Sequence, residues 1–282
     1  SESAAREWLA LFGSLPRPVK MLENDDIQGI FFGPYGDLQH GRLLAVSIPG
    51  GIARSSRLEW LTAIESRITY GDRKPEDTAV IAALGPRGLE SFEFGGESGE
   101  ARLEEFPLAF RQGMDADMRA RLLDDVGANA PSGWRWGTGE DAADAVIVAY
   151  ARTKTLLDKQ VKDLKATTAK AGMRLVAEIA MNVTLDTFGR VEEDAVGVEP
   201  FGFADGISQP VVEGTPRARR PEERMHMVAA GEFLFGYPDG RGRLPPSVTV
   251  PADSDPDGRL SEIDGADGKR RRDFGRNGSF LV

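Results

Sequence analysis

Residues 145–185 read AVIVAYARTKTLLDKQVKDLKATTAKAGMRLVAEIAMNVTL, and this stretch decides the fold. The run AVIVAYA (145–151) has the branched, apolar character of a β-strand, and RLVAEIAMNVTL (174–185) predicts a second strand. Between them, apolar side chains recur on one side of a helix whose other side is charged, at Leu156, Leu157, Val161 and Leu164. Gly172 stands where a glycine commonly ends a helix. The stretch therefore predicts a strand–helix–strand unit.

An earlier part of the chain repeats this order. RLLAVSIPGG (42–51) and TAVIAALG (78–85) predict strands, and SRLEWLTAIESRITY (56–70) predicts the helix between them. That helix has apolar residues at helical spacing, namely Leu58, Leu61, Ile64 and Ile68. Two such units, separated by an insertion with a helix around 116–124, predict an α+β fold: a ferredoxin-like βαββαβ domain with an antiparallel sheet.

The domain boundaries follow from this pattern. We expect an N-terminal helical arm over 1–24, including an amphipathic helix over 5–13, and the ferredoxin-like domain over 25–186. The character of the sequence changes over 187–282: this segment is rich in predicted loops and ends in GSFLV (278–282). We interpret this last piece as the first strand of a second domain.

Composition excludes several classes of function. Lys and Arg total 35 against 45 Asp and Glu, a net charge of −10, which argues against unspecific nucleic-acid binding. The chain has no cysteine, which excludes disulfides, thiolate zinc sites and iron–sulfur clusters. Its two histidines, His40 and His226, leave few ways to hold a transition metal. No run of apolar residues approaches a membrane span, and no signal peptide is visible, so we expect a soluble, cytoplasmic protein without a membrane partner.

The stretch FGFADGISQP (201–210) holds the candidate catalytic residue, Asp205. One interpretation is a tight turn, in which Asp205 accepts backbone N–H groups and the glycines supply positive φ. The other is a carboxylate in an apolar pocket with little water. Desolvation there raises the pKa of the carboxyl group, so that it can take and return a proton.

GFADGISQP, with its core Gly202-x-x-Asp205-Gly206, resembles the signature of the dye-decolorizing (DyP-type) haem peroxidases. Four further stretches are similar to the same family in the same order. They are DIQGIFFGPYGDLQHGRLLAVSI (26–48), EEFPLAFRQGM with RLLDDVGANAPSGW (104–134), GEFLFGYPDG (231–240) and RRDFGRNGSFLV (271–282).

The resemblance implies two ferredoxin-like domains with haem b between them, and hydrogen peroxide as the oxidant of dyes, phenols or other aromatic donors. Asp205 matches the distal aspartate, which helps to move a proton between the peroxide oxygens. The residues around it would form the haem wall, namely Gly202, Phe203, Ala204, Gly206, Ile207, Ser208 and Gln209.

The chain departs from the family pattern at the iron. The proximal histidine and the distal arginine of the family lie in the second domain, and neither has a matching position here. We therefore expect a second chain, in a hetero-oligomer, to carry the haem-ligating half; a half that was cleaved and retained, or lost, is the alternative. His226 does not match the context of the iron ligand, and we interpret His40 as a strand-edge residue.

Other candidates have simpler interpretations. DSDPDGRLSEID (253–264) matches a calcium-loop template, but Pro256 and the prolines upstream favour a solvated loop. KRRR (269–272) predicts a local ion-pair surface, with a polyanion or haem-propionate site as the alternative.

Trp134, Trp136 and Tyr237 are candidate surface aromatics for electron entry. The rival function is a non-catalytic ferredoxin-like subunit without haem.

Overall fold

The computed structural model describes residues 22–92, 103–182, 209–220, 227–265 and 268–281. Its central element is a four-stranded antiparallel sheet in the order β2-β3-β1-β4. The strands are β1 (His40–Ser47), β2 (Thr78–Leu84), β3 (Ala145–Ala151) and β4 (Arg174–Asn182). This order and this direction are those of the predicted ferredoxin-like domain, so the fold class is confirmed.

Two helices cover one face of the sheet. Helix α1 (Arg54–Glu65) connects β1 to β2, and helix α5 (Lys154–Lys170) connects β3 to β4. The main core lies between them and the sheet, and includes Leu44, Trp60, Ile147 and Leu164, each no more than 2% exposed. Alternate strand residues point to this core because successive side chains of a strand face opposite sides.

The end of α5 matches the prediction, whereas the end of α1 does not. Gly172 adopts a φ of +80° just after α5, and its N–H donates to the carbonyl of Ala169, as expected for a helix C-terminus. Helix α1 ends at Glu65, whereas apolar spacing predicted helix as far as residue 70. The chain turns there because Thr69 pairs with Val80 of β2, its N–H donating to the Val80 carbonyl at 2.9 Å.

The insertion between β2 and β3 is built from short elements. Helices α2 (Pro86–Ser91), α3 (Leu108–Gln112) and α4 (Asp117–Leu122) are each about one or two turns long, and α4 lies within the predicted helix. Single 3₁₀ turns fill in between other elements, at Gly29–Phe31, Leu103–Glu105, Gly127–Asn129, Pro131–Gly133, Gly139–Asp141, Arg217–Arg219, Ala230–Glu232 and Ala252–Ser254.

The segment after β4 forms two small sheets. Strands β5 (Val211–Val212) and β6 (Met227–Val228) pair in parallel. Strand β9 (Arg270–Asp273) pairs antiparallel with both β7 (Thr249–Pro251) and β8 (Glu262–Asp264).

The last described residues pack back onto the first sheet. The N–H of Leu281 donates to the carbonyl of Leu84 in β2, at 2.9 Å. The ring of Phe280 meets Phe106 and Phe110 edge to face, in a cluster that also contains Leu89. The idea that a second domain begins here stays a prediction.

The outer edge of β2 has its backbone groups bonded by side chains and loops. The amide side chain of Gln28 donates to the Ala82 carbonyl at 2.7 Å and accepts from the Ala82 N–H at 2.9 Å. Thr69 contacts both backbone groups of Val80, and Leu281 bonds Leu84. Because these bonds occupy backbone groups on the outer edge of β2, few of its N–H and carbonyl groups remain for pairing with another strand.

In the part of the chain that the structure describes, no helix has the length and apolar character needed to cross a bilayer.

Candidate functional site

The predicted catalytic and haem-wall residues fall mostly outside the described residues. Asp205 and the neighbours at positions 202–208 lie there, and so does His226. Gln209 is described: it is exposed, and its carbonyl accepts a hydrogen bond of 3.1 Å from Nη1 of Arg217.

The chain just after the motif is anchored firmly. Val212 in β5 packs into a cluster of buried residues with Leu22, Ile27, Leu234 and Tyr237. Arg219, a few residues on, makes a 3.0 Å ion pair with Asp72. These contacts fix where the motif segment rejoins the rest of the protein.

A cavity of about 870 Å³ lies against the sheet face that α1 and α5 leave open. Leu43 of β1 and Val146 of β3 form part of its floor. Trp134 and Trp136 come from the loop before β3, and Arg87 and Arg111 from α2 and α3. A volume of this size, lined by apolar groups with a few polar ones, is typical of small-molecule sites.

A buried carboxylate orders one side of this cavity. Asp144 is 2% exposed, and its Oδ2 accepts a hydrogen bond of 2.6 Å from the N–H of Ile48. Its Oδ1 lies 3.1 Å from Nε of Arg87. Because a buried charge is stable only when it is paired, Asp144 and Arg87 hold each other in place.

The candidate electron-entry aromatics separate into two groups. Trp134 and Trp136 are half-buried and line the cavity, and the indole N–H of Trp134 donates to the Asn129 carbonyl at 3.0 Å. Tyr237 is only 2% exposed, so its interpretation as a surface aromatic is wrong. It is covered because it packs in the cluster with Leu22 and Ile27, and the guanidinium of Arg276 lies over its ring, 4.4 Å from the centroid.

Within the calcium-loop stretch, Asp255 is buried and bonded by the protein itself. The carboxylate of Asp255 accepts from the N–H groups of Arg259 and Leu260, at 2.9 and 3.0 Å. These bonds, Leu260 first, hold the pKa of Asp255 below its usual value. No cluster of three metal-ligating side chains occurs among the described residues.

The basic cluster forms ion pairs with neighbouring acids. Arg270 and Arg272 pair with Glu262 of β8, and Arg272 also lies 3.5 Å from the carboxylate of Asp255. Arg271 contacts Glu105. The predicted ion-pair surface is confirmed.

The described residues fit a haem only in part. A haem needs an axial ligand, most often histidine, in addition to a pocket. The described part of the chain contains one histidine, His40, which opens β1 and does not line the cavity. It supplies no axial ligand beside that cavity.

Comparison with solved structures defines the class of fold. A variant of a dye-decolorizing peroxidase in complex with cyanide matches with a TM-score of 0.57 and 23% identity, over 80% of this chain and 47% of that one. An ancestral D-type dye-decolorizing peroxidase matches with a TM-score of 0.60 and 23% identity, over 81% and 48%. A fungal DyP-type peroxidase from Auricularia auricula-judae matches with a TM-score of 0.54 and 20% identity, over 80% and 46%.

The chain thus shares its α+β fold with dye-decolorizing peroxidases and spans about half the length of the solved chains. The resemblance inferred from the sequence is confirmed at the level of the fold. No family model matches the chain, and no curated protein matches it.

Proposed function

We propose that this chain is the aspartate-bearing component of a haem peroxidase of the dye-decolorizing type. It would reduce hydrogen peroxide and oxidise dyes, phenols or other aromatic donors. The observation that carries the proposal is the fold shared with solved peroxidases of this class. The motif Gly202-x-x-Asp205-Gly206 supports it independently, from the sequence.

Asp205 is the proposed proton carrier. Its neighbours in sequence include Phe203 and Ile207, and an apolar setting disfavours the charged carboxylate and raises its pKa. A carboxyl group with a raised pKa can both accept and return a proton near neutral pH. Haem b, when bound, would supply the iron at which peroxide is reduced.

The remaining haem groups are proposed to come from a second polypeptide segment. Residues 202–209 would form one wall, and the axial imidazole and the arginine would be contributed from elsewhere, as a separate chain in a hetero-oligomer. The resemblance to the peroxidase family supports this division, since the family's proximal histidine and distal arginine have no matching positions in this sequence. Intact-mass measurement of the native material tests it: a co-purifying second polypeptide is expected.

An absorbance spectrum tests the haem itself. We expect a Soret band from the chain together with its complementary segment. Absence of that band under every pairing would favour the rival function, a ferredoxin-like subunit without catalysis.

The role of Asp205 is tested by Asp205→Asn, with Asp253→Asn as the matched control because Asp253 is an exposed loop acid. The Asp205 variant should keep the Soret band while its reaction with peroxide slows by about 100-fold, the typical contribution of a positioned acid–base group. Equal peroxide rates in the two variants would remove Asp205 from the mechanism.

A further inference from the structure

Three arginines line the cavity over the open sheet face, and the positions of two of them, Arg87 and Arg111, are already fixed. Nε of Arg111 donates to the Phe106 carbonyl at 3.1 Å. Arg87 contacts Asp144 through Nε, and its Nη1 donates to the Gly139 carbonyl at 2.7 Å. Both side chains are therefore held by the protein itself.

This arrangement leaves terminal guanidinium nitrogens available at the cavity. Among the described residues, Nη2 of Arg87 and both terminal nitrogens of Arg111 have no hydrogen-bond partner. A guanidinium fork of this kind matches the two oxygens of a carboxylate, and fixing it beforehand lowers the entropy cost of binding.

The other walls of the cavity are apolar or aromatic and would accommodate a planar aromatic ring. Leu43 and Val146 present aliphatic surface, and Trp134 and Trp136 add two indoles. The hydrogen bond from Trp134 to Asn129 restrains one of these rings. Aromatic ligands gain from stacked or edge-to-face contacts with such rings.

Two acids limit the charge that the cavity can accept. Asp115 and Asp125 also line it, opposite in sign to the arginines. They would repel a second carboxylate and could accept a hydrogen bond from a ring hydroxyl group.

We propose that this cavity binds a planar aromatic monocarboxylate, with the carboxylate at Arg87 and Arg111 and the ring against Trp134 and Trp136. The proposal goes beyond the peroxidase function and does not rest on it, since binding requires neither haem nor peroxide.

The test is a titration of the full chain with 3-hydroxy-2-naphthoate in the absence of haem. Calorimetry and the quenching of tryptophan fluorescence measure the binding. We expect one saturable site per chain, and binding of 2-naphthol, which lacks the carboxylate, about tenfold weaker, as for loss of one charge-assisted contact. Equal affinity for the two compounds would overturn the proposal.

Variants locate the site. Arg111→Gln should weaken the naphthoate about tenfold and leave 2-naphthol unchanged, and Trp134→Leu should weaken both. Arg241→Gln, on an exposed turn, is the matched control and should change neither. Circular dichroism identifies any variant that fails to fold, and Arg111→Lys, which keeps the charge but loses the fork, then provides the second measurement.

Competition separates this cavity from a tetrapyrrole site. Stoichiometric haemin should leave naphthoate binding intact. Displacement by haemin would overturn the proposal, because the cavity would then belong to the haem pocket. Failure of the proposed peroxidase function, by contrast, would appear only in the Soret band and the peroxide rate.

Discussion

Arg276 donates two hydrogen bonds to the carboxylate of Glu23, at 2.9 and 2.8 Å, although 253 residues separate the two in sequence. Asn277 adds a bond of 2.6 Å to Glu23 and one of 2.7 Å to Asp26. Together with the ring of Tyr237 beneath Arg276, these contacts join the last described segment to the first.

The first prediction concerns the fork geometry of Arg276. Arg276→Lys keeps the charge but loses the paired hydrogen bonds and the planar contact with Tyr237. The free energy of unfolding should fall by about 1–2 kcal/mol, measured by urea denaturation. Arg241→Lys is the control, and an equal effect in both variants would contradict a specific role for Arg276.

The second prediction is the pH dependence of the same pair. The hydrogen bond from Arg276 is the largest cause that lowers the pKa of Glu23 from its usual 4.5. Stabilisation from a lowered carboxyl pKa is present above the unfolded value and is lost as the pH falls through the folded value. Glu23→Gln should therefore destabilise the protein at neutral pH and much less at about pH 3. A pH-independent difference in unfolding free energy would contradict the ion pair as its source.

The third prediction concerns the close contact between α2 and the chain before β3. A Cβ added at Gly88 would stand 2.1 Å from the backbone oxygen of Asp144, whereas one at Gly33 would meet nothing within 4 Å. Gly88→Ala should cost about 1–3 kcal/mol, as overpacking against backbone does, and Gly33→Ala should be close to neutral. Thermal unfolding of the two variants side by side measures the difference.

The fourth prediction concerns the edge of β2. Gln28→Leu removes both bonds to Ala82 and leaves two backbone groups of the edge strand without partners. We expect a loss of about 1–3 kcal/mol and more self-association, since bare strand edges pair with one another. Light scattering during heating detects the association; Gln112→Leu, at an exposed position of α3, is the control. A monomeric Gln28 variant of unchanged stability would contradict this role.

The sheet and its two helices were predictable because local patterns determine them. The branched, apolar run marks β3, helical periodicity marks α5, and Gly172 marks the end of that helix before β4. The end of α1 was not predictable, because Ile68 continues the helical spacing of apolar residues. The helix ends earlier because the chain after it bonds to β2.

The candidate site was less predictable, for a different reason. The cavity takes Arg87 and Arg111 from helices of five or six residues and Trp134 from a loop, and all three segments are too short to show a periodicity. Tyr237 is covered by Leu22, Ile27 and Arg276, which are distant in the sequence, and nothing near Tyr237 in the sequence indicates these contacts. Such arrangements depend on contacts between residues that are far apart in the sequence, and residue spacing does not predict these contacts.

The bonds that Gln28, Thr69 and Leu281 make to β2 occupy the outer edge of the main sheet. A further strand, from this chain or a companion, could add beside β2 only by displacing these three residues. Sheet growth at this edge therefore has an energetic cost, which protects the protein against edge-to-edge aggregation.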